Sequence, residues 1–157
     1  MKELVKLLQR TFPENIVIRS NFESGEFFID ADPTRMQQAI MNLVFNARDA
    51  MSESGELLIT LSRSELRKPM KCVTCGEVME GNWIQIFIHD NGDGIPAAII
   101  NHIFEPFFTT KAPGQGTGLG LAQVYGIIKQ HSGHITVSMV VKPWKFCNKA
   151  QRRLTGA

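Results

Sequence analysis

The segment ADPTRMQQAIMNLVFNARDAM, residues 31–51, repeats its apolar side chains at helical spacing. Met36, Ile40, Leu43, Val44, Ala47, Ala50 and Met51 share one face, and Asp32-Pro33 supplies a capping residue followed by a proline suited to the first turn. Such a face must be buried against another layer, so the question is what the rest of the chain offers. Residues 2–10 read as a short amphipathic helix and 117–130 as a third main helix closed by Ser132-Gly133, with a shorter one at 97–102. Residues 15–20, 26–30, 56–64, 83–90 and 134–141 read as strands, the first two joined at Ser24-Gly25 as a hairpin. Helices and strands do not alternate regularly. The expected fold is therefore α+β: a two-layer α/β sandwich, with three main helices on one face of a mixed, mostly antiparallel sheet of about five strands.

The opposite side of the central helix carries a narrow stripe of Arg35, Gln38, Asn42, Asn46, Asp49 and Glu53. A solvated surface would explain it, but Asn is a poor helix-interior residue, and Met41 and Phe45 flank the stripe. The alternative is a face that holds phosphates and a metal ion, with the Asn46 amide oxygen offered to Mg²⁺. Downstream, FIHDNGDGIP ends an apolar strand at Asp90 and places Gly92 and Gly94 two residues apart. This is either an ordinary turn or a buried carboxylate able to accept a hydrogen bond from an exocyclic amine such as adenine's, with glycines that let a flat ring lie against the backbone. IFEPFFTTKAPG follows, a long loop of phenylalanines ending in Thr109, Thr110 and Lys111, whose hydroxyls and ammonium suit phosphate. Gly114, Gly116, Gly118 and Gly120 then alternate up to a helix start, where backbone amides favour an anion. The run matches neither GxxxxGK[ST] nor GxGxxG.

With 17 Lys+Arg against 15 Asp+Glu the net charge is +2, too little to argue for nucleic acid or an acidic membrane. No apolar run reaches the roughly 18 residues of a membrane span, so neither partner is expected for this domain. Three cysteines in 157 residues do not form a disulfide framework, and a cytoplasmic setting is expected. CVTCGE, Cys72 to Glu77, is a zinc-knuckle type of turn but only half a Zn²⁺ site. Cys147 and a histidine, or a second chain, could complete it. A hairpin tip with spare thiols is the preferred reading.

Four motifs stand in order: NLVFNARDAM, DNGDGIP, IFEPFFTTK and GQGTGLGLA. Together they closely resemble the ATP-binding catalytic domain of sensor histidine kinases, within the superfamily that includes gyrase-type topoisomerases, MutL ATPases and the ninety-kilodalton heat-shock chaperones. The wording of NARDAM and EPFFTTK is similar to nitrogen-regulator-type kinases. The resemblance implies the Bergerat-type fold over residues 30–137 of a single 1–157 domain, with a CxxC-bearing insertion at 65–82 and a divergent tail at 142–157. It implies ATP and Mg²⁺ as cofactors, Asn46 at Mg²⁺ and Asp90 at the adenine amine, with Gly92 and Gly94 lining the base pocket. It implies Lys111, Gly116, Thr117, Gly118, Leu119 and Gly120 where lid and helix start meet the phosphates, with Asn42 and Asp49 sharing the stripe.

Position 42 separates subclasses. The water-splitting relatives carry a glutamate four residues before the magnesium asparagine, and Asn42 cannot take a proton at neutral pH. Transfer of the γ-phosphate to a histidine is therefore expected over fast hydrolysis. The phosphoacceptor is expected on a dimerisation domain outside this chain, since no histidine precedes His89, with a response regulator downstream. The isolated chain is not expected to phosphorylate itself. Two other readings stay open: a gyrase- or chaperone-type ATPase, and a non-catalytic nucleotide-binding module. The tail MVVKPWKFCNKAQRRLTGA is basic and reads as not strand-like at its end, which puts the last sheet strand in question.

Overall fold

A computed structural model describes residues 1–137 and, as backbone, residues 142–149. The elements run α1 (Lys2–Thr11), β1 (Ile16–Phe22), α2 (Pro33–Ala50), β2 (Gly55–Lys71), β3 (Val78–Asp90), α3 (Gly120–Gln130), β4 (His134–Val137) and β5 (Lys142–Lys149). They form one five-stranded sheet of order β1-β2-β3-β5-β4, in which β1 and β2 are parallel and all other pairs antiparallel. The three helices share one core with the sheet. Leu8 of α1, Val44 of α2 and Val124 and Ile128 of α3 are packed with Leu57, Ile59, Ile88 and Ile135 of the strands, all essentially inaccessible. No helix among the described residues is long and apolar enough to cross a membrane.

The central helix forms for the local reasons its sequence gives. Asp32 Oδ1 accepts hydrogen bonds from the Thr34 and Arg35 amides, at 2.8 and 3.1 Å, and Pro33 occupies the first turn. The helix also connects two neighbouring parallel strands, which a tight turn cannot do.

The segment 26–30 is not a strand, and there is no β1 hairpin. β1 instead extends to Phe22 and pairs with β2 from Ile16↔Gly55 to Phe22↔Leu61. Arg63 of β2 holds the segment that follows β1: its guanidinium donates to Ser24 O at 3.1 Å and Glu26 O at 2.7 Å, and to Glu23 Oε1 at 2.6 Å. The last sheet strand that the tail put in question is present as β5: residues 142–149 pair with β3 (Trp83↔Lys149 to Asp90↔Lys142) and with β4 (His134↔Cys147 to Val137↔Trp144), and the end of the tail lies outside the described residues. The end of the strand expected at 134–141 lies outside the described residues.

Two helix expectations also change. Residues 97–102 form successive turns, with hydrogen bonds three residues apart (Ile99 N to Pro96 O, His102 N to Ile99 O, Glu105 N to His102 O). α3 starts at Gly120, not Thr117, because Gly118 holds φ +65° and cannot belong to a right-handed helix. At its other end, Gly133 N donates to Ile128 O (2.9 Å) and Ser132 N to Lys129 O (3.1 Å), the two bonds of a Schellman closure. The residue that turns left-handed is Ser132 (φ 54°), not the glycine beside it.

Candidate nucleotide site

Three pieces of backbone meet beside the C-terminal half of α2: the turn after β3, the long loop, and the start of α3. They enclose a cavity of about 530 Å³. Of the residues singled out from the sequence, Asn46, Asp49, Asp90, Gly94, Lys111, Gly116, Thr117, Gly118 and Gly120 line it.

Asp90 closes β3 and is 2% exposed. Its Oδ1 accepts from the Gly92 amide at 3.0 Å, which folds the turn back on the carboxylate. Gly92 does not line the cavity. A Cβ there would lie 2.3 Å from the Ala50 carbonyl oxygen, and the next residue, Asp93, donates its amide to that same oxygen at 3.1 Å. Gly92 is therefore a packing glycine that fixes the turn against the end of α2 and so aims Asp90. Gly94, at φ +83°, turns the chain along the cavity wall. Ile95, Ile99, Ile103, Phe108 and Leu121 make that wall apolar. Sequence reading passed over these isoleucines, because they sit in irregular turns where no periodicity marks them.

The polar half faces α2. Lys111 Nζ reaches across to Asp49 Oδ2, and Arg48 holds Asp49 Oδ1 at 2.8 Å. Burial pushes the Asp49 carboxyl up, but the hydrogen bonds from Lys111 and Arg48 outweigh it and hold it below the usual carboxylate value. Asn42, one turn before Asn46, does not line the cavity. Its Nδ2 donates to Gly120 O at 3.4 Å and to Gln123 Oε1 at 3.3 Å, joining α2 to α3. Leu119 is the N-cap of α3, and its amide donates to Thr117 Oγ1 at 3.3 Å.

The alternating glycines have distinct tasks. Phe107 N donates to Gly118 O at 2.8 Å, which closes the loop at its base, and a Cβ on Gly118 would lie 2.3 Å from the Phe107 carbonyl carbon. Gly116 lies under Thr109 and Lys111, with a Cβ position 2.9 Å from Thr109 Oγ1. Gly114 (φ +86°) has open space around it. The first amides of α3 have no intrahelical acceptor, and Gly120 and Leu121 at that end both border the cavity. A cavity lined by apolar side chains, a buried carboxylate, a lysine and a helix N-terminus has the groups a purine nucleotide site needs.

Fold and cavity thus define an α/β sandwich of the nucleotide-binding class. Residues 31–152 match the family described as histidine kinase-, DNA gyrase B- and HSP90-like ATPase, and the chain belongs to that family. It is 38% identical over 135 residues to the sensor kinase CckA of Brucella abortus (strain 2308), covering 86% of this chain and 14% of that protein. It is 34% identical over 133 residues to the sensory histidine kinase/phosphatase NtrB of Rhizobium leguminosarum bv. phaseoli, covering 83% of this chain and 33% of that protein. Among solved structures, the catalytic domain of histidine kinase ThkA in a nucleotide-free form aligns with TM-score 0.69 and 29% identity, over 95% of this chain and 91% of that one. The domain is the ATP-binding type found in sensor histidine kinases, and it spans a third or less of these curated relatives.

Proposed function

We propose that the chain binds Mg-ATP in this cavity and donates the γ-phosphate to a histidine on a dimerisation domain of the same kinase, from which a response regulator is served in the cytoplasm. The observation that carries the reading is one cavity lined by the buried Asp90, three isoleucines, and Asn46, Asp49 and Lys111. Asp90 accepts the adenine amine, and the wall of Ile95, Ile99, Ile103 and Leu121 sandwiches the ring. Gly94 lets the ring approach the backbone.

Lys111, Gly116, Thr117, Gly118, Leu119 and Gly120 lie where the phosphates meet the lid and the helix start. Among the described lining residues Lys111 is the one cation, against Asp49, Asp90 and Asp93. A polyphosphate entering that field needs a divalent counter-ion. Asn46 and Asp49 offer the oxygen donors Mg²⁺ prefers, so these residues fit the ion. It would neutralise charge on the transferring phosphate. Asn42, committed to α3, supplies no base for water. The NARDAM and EPFFTTK motifs, with the NtrB similarity, support a nitrogen-regulator-like subgroup.

The test is transfer of label from γ-labelled ATP and Mg²⁺ to a separately supplied dimerisation domain. The expected product is an acid-labile phosphohistidine, lost with Asn46→Ala. Steady phosphate release by the chain alone, without transfer, would overturn the reading in favour of an ATPase.

A further inference from the structure

Away from the cavity, the β2–β3 ribbon folds its tip over the junction of α3 and β4. Cys72 and Met79 are buried there beneath Trp83, whose ring meets His134 edge-on at 5.2 Å between centroids. The ribbon's two thiols thereby meet an imidazole from a remote part of the chain. Cys72 is 3% exposed, His134 5% exposed and Cys75 half-buried, and the ligand atoms of all three lie within 4.8 Å of one another. Cys75 Sγ is 3.2 Å from His134 Nδ1. The turn between the cysteines has the form that brings two thiolates to one ion. Gly76 N donates to Cys72 O and Cys72 N to Glu77 O, both at 2.8 Å, with Gly76 at φ +74°.

We propose that Cys72, Cys75 and His134 are three of the ligands of a structural Zn²⁺ ion. Two thiols and an imidazole converging in a buried corner are the donor set zinc takes, and structural sites close at four ligands. Lys129 stands 3.8 Å from Cys75 Sγ and also holds Glu77, a positive charge placed to offset a thiolate cluster. The ion would pin the ribbon to the C-terminal end of α3, the helix whose other end borders the nucleotide cavity. The site is independent of the proposed phosphotransfer.

The experiment is cobalt(II) substitution of the reduced chain, with metal analysis of the protein as purified and after zinc addition. The expected results are about one zinc per chain and thiolate-to-cobalt charge-transfer bands with tetrahedral d–d absorption. Cys75→Ser and His134→Ala should lose the bands while far-ultraviolet circular dichroism stays folded. A folded, reduced wild-type chain that takes up neither ion would overturn the site. So would thiols isolated as a Cys72–Cys75 disulfide that does not bind zinc after reduction.

Discussion

Single residues set this domain's geometry where backbone meets backbone. Gly118→Ala places a methyl group 2.3 Å from the Phe107 carbonyl carbon and forces a left-handed alanine. A loss of about 2 kcal/mol or more is expected in thermal or urea unfolding, together with weaker nucleotide binding. Gly114→Ala, with a similar φ but open space, should cost only the conformational share, about 1 kcal/mol. Equal effects would contradict the contact between Gly118 and Phe107. Conversely, Ser132→Gly should raise stability by up to about 1 kcal/mol, because an exposed serine holds the left-handed position closing α3. A differential scan reads this as a melting shift of about 2–4 °C. The glycine cluster was visible in the sequence, but the division of labour within it was not. Whether a glycine is needed for its φ or for close approach depends on what the fold brings beside it, and Phe107, Ala50 and Thr109 arrive from other segments.

At the scale of elements, the site is a junction between α2, the turn after β3 and the start of α3, and the Asp49–Lys111 pair ties the loop to the helix. The Asp49 carboxyl titrates lower folded than unfolded. Its contribution to stability is therefore fully present above the unfolded value near ~3.9 and is lost as pH falls through the lower folded one. Asp49→Asn should flatten that acid limb of a melting-temperature profile, modestly, since the side chain is a third exposed. Lys111→Met should weaken ATP by roughly tenfold and leave nucleoside affinity unchanged, which competition titrations would read; equal losses for both would contradict a phosphate role.

The central helix was legible because its apolar period and its Asp-Pro cap are local signals. Segment 26–30 was misread because its local alternation looks like a strand, whereas β1 pairs with β2, and Arg63, distant in sequence, holds the Glu26 carbonyl. β5 was missed for the converse reason. Its basic, proline-bearing sequence carries little strand signal, and it is held by neighbours on both sides, β3 and β4.

For the whole molecule, four short motifs from separate segments converge on one cavity, and that convergence was readable from their order. The apolar wall was not, because Ile95, Ile99 and Ile103 acquire a common face only when the turns between Pro96 and Phe108 are folded. A histidine was foreseen as a partner for the CxxC pair, but which one was hidden, since His134 is 59 residues from Cys75 in sequence and meets Cys72 and Cys75 only in the folded chain. The central claim is that Asp90 anchors an adenine nucleotide in this cavity. Calorimetric titration of the chain with ATP, with and without Mg²⁺, beside Asp90→Asn, tests it most directly. Wild-type binding should strengthen with Mg²⁺, and the variant should lose about 1.5–3 kcal/mol, roughly tenfold or more in affinity. A folded wild-type chain that binds no ATP, or an Asp90→Asn variant that binds it equally well, would contradict the account.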